Sequence, residues 1–286
     1  MVHATWGDWF VREEVEAADP DGVAVWYLGC NGFVLRSGET TIYVDPYFGD
    51  GDPPNTVRML PVPVDPAAAT DCDAVFATHE HIDHFHPPSY GPLVEDLDAT
   101  LHAPGACFSD ARDYDGDARA PAEQRRTVAV GEDIPIGDFV VHVRGAADPD
   151  AEEPVSYVFE HASGTFFHAG DSRPAPDFAE IGAEFDLDVG ALAYGSIGHI
   201  AFPGEDAVRR TEWYMNENQV VEAANALELD RLVPTHWDMW KGMDADPKVL
   251  HEHVTSHVHP RVLERAKVGD RLDLDRPGVV QPEALR

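Results

Sequence analysis

The stretch Thr78-His79-Glu80-His81-Ile82-Asp83-His84-Phe85-His86-Pro87 gathers four histidines and two acids into ten residues, directly behind the apolar run Asp73–Ala77, DAVFA. A short apolar run of this kind reads as a buried strand, so the imidazoles and carboxylates stand where the chain leaves a sheet. On such a loop, His79 and His81 can converge on one metal ion. Asp83 and His84, turned to the other side, can hold a second ion a few ångströms away. Glu80 and Ile82 fall between the ligand positions. His86 lies beyond the pattern and reads as an outer partner or a solvated side chain. A merely solvated loop would not concentrate these groups immediately behind a buried strand.

Working outward, VAVWYLG, GFVLRSG and TIYVDPY are short runs rich in β-branched and aromatic residues, separated by glycine-containing turns. They read as a strand meander. Before them, TWGDWFVREEVEA places Trp6, Trp9, Phe10 and Val15 at roughly helical spacing. After them, the proline-rich GDPPNTVRMLPVPVDPAAATD reads as an ordered loop over the surface or near the site. RTVAVGEDIPIGDFVVHVRG reads as two strands around a turn, and PVSYVFEHASGTFFHAGDS as a hairpin that ends in an acid. EWYMNENQVVEAANALEL and PKVLHEHVTSH show helical patterns around the strand RLVPTHW, and AKVGDRLDLD reads as a closing strand pair. Strands followed by a helix, twice over, indicate two sheets packed face to face with helices outside.

The composition narrows the function. With 286 residues and 43% hydrophobic content, the chain can bury a large core. No apolar stretch reaches membrane-span length and the N-terminal residues lack a signal-peptide layout, which reads as a cytoplasmic protein with no membrane partner. Fifty-three acids against 20 lysines and arginines leave a formal charge of −33. The acids are scattered, as on a solvated surface suited to a salt-rich cytoplasm where a short Debye length screens self-repulsion. Nucleic acid is not an expected partner, because phosphate-backbone binding needs a basic footprint. Cys30, Cys72 and Cys107 form no CxxC pair and read as inert, reduced thiols. His251, His253, His257 and His259 in HEHVTSHVHP lack an accompanying acid motif and read as solvated or core residues.

HxHxDH is the signature of the metallo-β-lactamase fold, and other elements of that superfamily occur in order. Asp45 in IYVDPY resembles the strand-ending acid that orients the metal loop. Asp171 in FFHAGDSR resembles the acid bridging two metals, and His236 in RLVPTHWDMW resembles the last histidine ligand. WGDWFVREEVE, VWYLGCNGF, AVFATHEHIDH, FHAGDSR, FDLDVGALAYG, LVPTHWDMW and HPRVLERAKVGD resemble segments of bacterial L-ascorbate-6-phosphate lactonases over nearly the whole chain. The resemblance implies a single αββα four-layer sandwich over residues 1–286 with an N-terminal helical extension of about residues 1–18. It also implies a lactonase using one or two Mn²⁺ or Zn²⁺ ions, with an anionic sugar lactone or phosphoester as substrate and a homo-oligomeric state.

The implied ligands are His79, His81, Asp148 and Asp171 for one ion, and Asp83, His84, His236 and Asp171 for the other. Asp83 and Asp171 are the candidates for moving protons as metal-activated water attacks the carbonyl. A third histidine usual in the superfamily is missing, so Asp148 is the expected substitute and His142 its competitor. A carboxylate there shifts preference toward harder ions such as Mn²⁺. Arg58, in NTVRML, is a candidate for a substrate phosphate. Arg173, which stands where the lactonases carry histidine, is a further substrate-binding candidate, and the change beside the bridging acid bears on substrate choice. Asp238, with Trp237 and Trp240, is expected to line the pocket. A phosphodiesterase of the same fold and a non-catalytic metal-binding protein are the rival readings.

Overall fold

The computed structural model describes residues 2–53, 56–109, 120–201 and 208–286. Strands Ala24–Gly29 and Gly32–Arg36 form a hairpin closed by Cys30 and Asn31, and every residue of the first strand is buried. Continuous burial, in place of an alternating pattern, is what a strand covered on both faces requires. The first sheet has eight strands in the order Val279–Val280, Arg271–Asp273, Ala24–Gly29, Gly32–Arg36, Thr41–Val44, Ala74–Phe76, Thr100–Ala103 and Arg125–Thr127. The second has seven: Val262–Leu263, Arg231–Thr235, Val189–Ala193, Gly164–His168, Val155–His161, Phe139–Gly145 and Asp133–Ile136.

The sheets face each other across one core that includes Tyr27, Phe33, Phe76, Tyr157, Phe159 and Phe166. Each such aromatic contributes roughly 1.5–3 kcal/mol by leaving water. The outer face of the first sheet is covered by a helical turn at Phe10–Val15 and a helix at Pro87–Glu95. That of the second is covered by helices Phe178–Glu184, Glu217–Ala226 and Leu250–Val254. This is the αββα sandwich expected from the sequence.

Several elements depart from the pattern reading. The N-terminal turn is a π-helix of six residues, held by Trp6 stacked on Trp9 and by both rings meeting Phe10 edge to face. The helix Pro87–Glu95 has no sequence signature because it contains three prolines. Two of them occupy the first turn, where the missing N–H has no partner to lose. RTVAVGEDIPIGDFVVHVRG gives three strands, not two. Ile197–Ala201, Val208–Glu212 and Met243–Asp244 form a small third sheet that no periodicity announced. No described helix is long and apolar enough to cross a membrane.

Position of the site follows from strand direction. Thr41–Val44, Ala74–Phe76 and Thr100–Ala103 run parallel, as do Gly164–His168, Val189–Ala193 and Arg231–Thr235. Asp45, the His79–His84 loop, Asp171 and His236 therefore leave the C-terminal ends of parallel strands on one rim of the sandwich, where open α/β sheets place ligands.

His102, in strand Thr100–Ala103, stacks on Phe76 at 4.5 Å and meets Thr100 Oγ1 at 2.8 Å. Burial, aided by Arg126, pushes its pKa down to about 4 from 6.5. The fold favours the neutral ring, so this contribution to stability is present above the unfolded value and is lost as pH falls through the folded one. Between pH 7 and pH 4 the metal-free protein should lose about 3 kcal/mol through this group. Urea denaturation of His102→Gln at both pH values should show a decline smaller by about that amount; an unchanged decline would remove His102 as the cause.

Candidate metal centre

Asp45 organises the loop that carries the histidines. Its backbone N–H donates to Phe76 O at 2.8 Å. Its carboxylate accepts Thr78 N–H at 2.8 Å, Thr78 Oγ1–H at 2.7 Å and His84 Nδ1–H at 2.7 Å. His84 is thereby fixed with Nε2 turned inward, 3.1 Å from Asp171 Oδ2. Burial disfavours a charged His84, but Asp171 and Asp45 on either side outweigh it and hold its pKa well above the ordinary imidazole value. Asp171 shows the mirror case. Burial opposes its ionisation, while His84 and His236 hold it well below the usual carboxylate range.

His79 Nε2 and His81 Nδ1 stand 2.8 Å apart, with Asp148 Oδ2 at 3.5 and 3.7 Å from them and Asp171 Oδ2 3.9 Å from His79. His81 Nε2–H donates to Asp150 O at 3.2 Å, which leaves Nδ1 free to ligate, the arrangement that ligating histidines adopt. Asp148 Oδ2 is buried with no hydrogen-bond partner. An orphaned carboxylate oxygen facing two imidazole nitrogens fits a cation and is costly without one. Ligand pairs on one ion lie about 3.0–3.4 Å apart for bonds of about 2.1 Å, so small shifts suffice to seat it. Burial, reinforced by Asp171, raises the Asp148 pKa.

The donors His79, His81, Asp148 and Asp171 form one group; His84, Asp171 and His236 form another. His236 Nε2 lies 3.2 Å from Asp171 Oδ1 and 3.4 Å from His84 Nε2. Asp83, expected with this second set, instead groups with Cys30 and His236. His142, the competitor of Asp148, lies away from these groups and faces Asp133 and Glu160 at 2.7 and 3.0 Å. The C-terminal histidines enter no donor group among the described residues.

The loop bearing Asp148 is zipped to both sides of the centre. Ala147 N–H donates to Ser172 Oγ at 2.8 Å, Arg173 N–H to Ala147 O at 2.9 Å, and Glu152 N–H to Glu80 Oε1 at 3.0 Å. Glu80 thus holds loop to loop and belongs to no donor group among the described residues.

Above the donors opens a cavity of about 230 Å³. Tyr47, Trp213, Tyr214 and Trp240 wall it, with Gly51, Asp52 and Thr56 from the proline-rich segment, and no lysine or arginine lines it among the described residues. Arg58 is buried and donates to the carbonyls of Tyr47, Leu60, Pro61 and Leu28 at 2.8–3.4 Å. Arg173 donates to Tyr214 O at 2.5 Å and Glu212 O at 3.1 Å, fastening a tyrosine that stacks on His236 at 4.2 Å. Asp238 lies off the cavity, its carboxyl pushed up to about 6 by burial.

The turn of the first hairpin is the part that sequence reading passed over. Asn31 Nδ2 donates to Asp171 Oδ1 at 3.2 Å, and its carbonyl accepts His168 Nε2–H at 2.8 Å. Cys30 O accepts Tyr27 O–H at 2.9 Å and His236 N–H at 3.1 Å. Cys30 holds φ +58, at a hairpin position that normally takes glycine. A turn residue other than glycine, asparagine or aspartate was the available signal.

Two facing sheets between helical layers, with histidines and acids converging at one strand-end rim, define a metallo-β-lactamase fold. The chain belongs to the beta-lactamase superfamily domain family, whose model matches residues 40–237. It is 28% identical to the probable L-ascorbate-6-phosphate lactonase of Escherichia fergusonii over 86% of this chain and 78% of that protein. Among solved structures it is similar to Igni18, a metallo hydrolase from Ignicoccus hospitalis, with TM-score 0.66, 17% identity, and 88% and 97% of the two chains covered. A possible metal-dependent hydrolase from Veillonella parvula superposes with TM-score 0.62 at 15% identity, over 89% and 99%.

Proposed function

We propose that this protein is a metal-dependent hydrolase that opens a sugar-acid lactone bearing no phosphate. The observation that carries the reading is the donor group His79, His81, Asp148 and Asp171 beneath an aromatic cavity that no lysine or arginine lines among the described residues. Divalent cations of the manganese or zinc type, bound there, supply polarisation of the ester carbonyl and acidify water. Asp83 faces the cavity and is placed to take the proton of the attacking water and return it to the departing alkoxide. Asp171 and Asp148 would hold the cation at the cavity floor, while Tyr47, Trp213, Tyr214 and Trp240 wall the cavity and exclude water.

The relatives' lactonase names support a lactone as substrate. The phosphate finds less support, because neither Arg58 nor Arg173 lines the cavity among the described residues and both donate to backbone carbonyls. Purified protein loaded with Mn²⁺ or Zn²⁺ should therefore hydrolyse uncharged aldonolactones with kcat/KM at least about tenfold above their phosphorylated counterparts, a difference of ~1.4 kcal/mol. Trp240→Ala should raise KM about tenfold with kcat nearly unchanged, as loss of uniform ring contact predicts. Turnover of a chromogenic phosphodiester with none of any lactone would replace this reading by the phosphodiesterase one.

A further inference from the structure

We propose that Asn31, itself held by His168, is the positioning residue that sets which way the Asp171 carboxylate faces, and through it how well the centre holds its ions. The two oxygens of Asp171 face different nitrogens. Oδ2 lies 3.1 Å from His84 Nε2 and 3.9 Å from His79 Nε2, while Oδ1 lies 3.2 Å from His236 Nε2. The last torsion of an aspartate is a broad, soft rotor, so the side chain does not fix this division by itself. Asn31 Nδ2–H supplies the constraint by donating to Oδ1 at 3.2 Å. It does so from the first sheet, whereas Asp171 and His236 follow strands of the second.

Turn geometry does not account for an asparagine at this position. The left-handed residue of the turn is Cys30, and Asn31 is not among the residues of positive φ, the conformation for which turns favour asparagine. Its side chain is fully buried, and its Oδ1 has no hydrogen-bond partner. Burying an amide with one half unpaired costs free energy. Among the described residues, the one hydrogen bond of this side chain is that to Asp171.

His168 fixes Asn31 in turn. It is fully buried, and its Nδ1 accepts Gly170 N–H at 3.2 Å, so the ring proton sits on Nε2 and is donated to Asn31 O at 2.8 Å. Phe33 meets the ring edge to face at 5.6 Å, which keeps it from turning. On the other side of the turn, His236 N–H donates to Cys30 O at 3.1 Å. The first hairpin turn is thereby fastened to both second-sheet strands that deliver Asp171 and His236. Partners that orient a ligand in this way typically carry roughly 10–100-fold in metal affinity. The proposal rests on the reading of the centre as metal-binding but not on any substrate.

The test is a Mn²⁺ titration of the metal-depleted protein, with free Mn²⁺ followed by electron paramagnetic resonance. Asn31→Ala is expected to bind the ion at least about tenfold more weakly than the wild type. His168→Leu, which removes the donor to Asn31 O, should also weaken binding, and the double variant should bind no more weakly than Asn31→Ala alone, because both act through one chain of hydrogen bonds. His168→Gln, which keeps an N–H donor, should bind as the wild type does. A merely structural role predicts losses of stability with metal affinity unchanged in the folded protein. Wild-type affinity in Asn31→Ala, or additive losses in the double variant, would overturn the proposal. If the variants do not fold, proton–nitrogen correlation spectra of the wild type decide. They should show His168 neutral with its proton on Nε2, and Asn31 side-chain amide resonances that move when Zn²⁺ is added. A proton on Nδ1, or amide resonances indifferent to Zn²⁺, would overturn it as well. A wild type that binds neither ion would end the metal reading and this one together, whereas bound ion with unaffected variants ends this one alone.

Discussion

Asp171→Ala is expected to lower lactone turnover by at least about 10³-fold and to leave the protein short of metal. Among the described residues Asp171 is the one carboxylate common to two donor groups, 3.1 Å from His84 Nε2, 3.2 Å from His236 Nε2 and 3.9 Å from His79 Nε2. It is buried, and its ionised form is sustained against burial by His84 and His236. Deleting it leaves neighbouring imidazoles facing one another with less counter-charge, which repels any cation brought among them. The loss of Lewis-acid assistance alone is worth several kcal/mol, the scale of a 10³-fold rate change. Asp171→Asn preserves shape and the Asn31 contact region while removing the charge, so it should fold normally and still lose metal. Metal stoichiometry by mass spectrometry and kcat on the same preparation make the check. Full metal content with activity within tenfold of wild type would remove Asp171 from the centre.

The second large effect belongs to Asp45, which does not line the cavity above the donors. Its side chain is completely buried and accepts three hydrogen bonds, from Thr78 N–H, Thr78 Oγ1–H and His84 Nδ1–H. Alanine there leaves buried donors unsatisfied at about 1–3 kcal/mol each, and removes one member of a buried ion pair, whose breakage costs about 3–5 kcal/mol. Asp45→Ala should therefore lose about 3–5 kcal/mol of stability in urea when metal-free. Its metal affinity should fall about 10–100-fold, because the partner that orients His84 is gone. Asp45→Asn, which keeps an acceptor oxygen but not the charge, should fall between the two. Stability within about 1 kcal/mol of wild type for the alanine variant would mean that Asp45 does not organise the loop.

These effects separate what could be read along the chain from what could not. The sandwich was legible because apolar β-rich runs alternate with helical patterns, and local spacing survives folding. Asp45, the His79–His84 motif, Asp171 and His236 were nameable because each closes an apolar strand, where parallel-sheet geometry delivers loops to one rim. The Pro87–Glu95 helix was not legible, since its prolines mimic a loop and only packing against the first sheet secures it.

The site itself divides in the same way. Sequence alone determined the fold class and the rim on which chemistry gathers, because these depend on residue type and short-range order, while Asp148, Asp171 and His236 were named through resemblance to the family. Tertiary structure alone decided the partners of the arginines and of the first hairpin turn. Arg58 was expected at a substrate phosphate and Arg173 beside the substrate, yet their hydrogen bonds go to carbonyls up to 30 and 41 residues distant. Cys30 looked inert, yet it lies beside Asp83 and His236, 53 and 206 residues away. Such pairings are set by how the two sheets and their loops close over one another, and no local pattern encodes that distance.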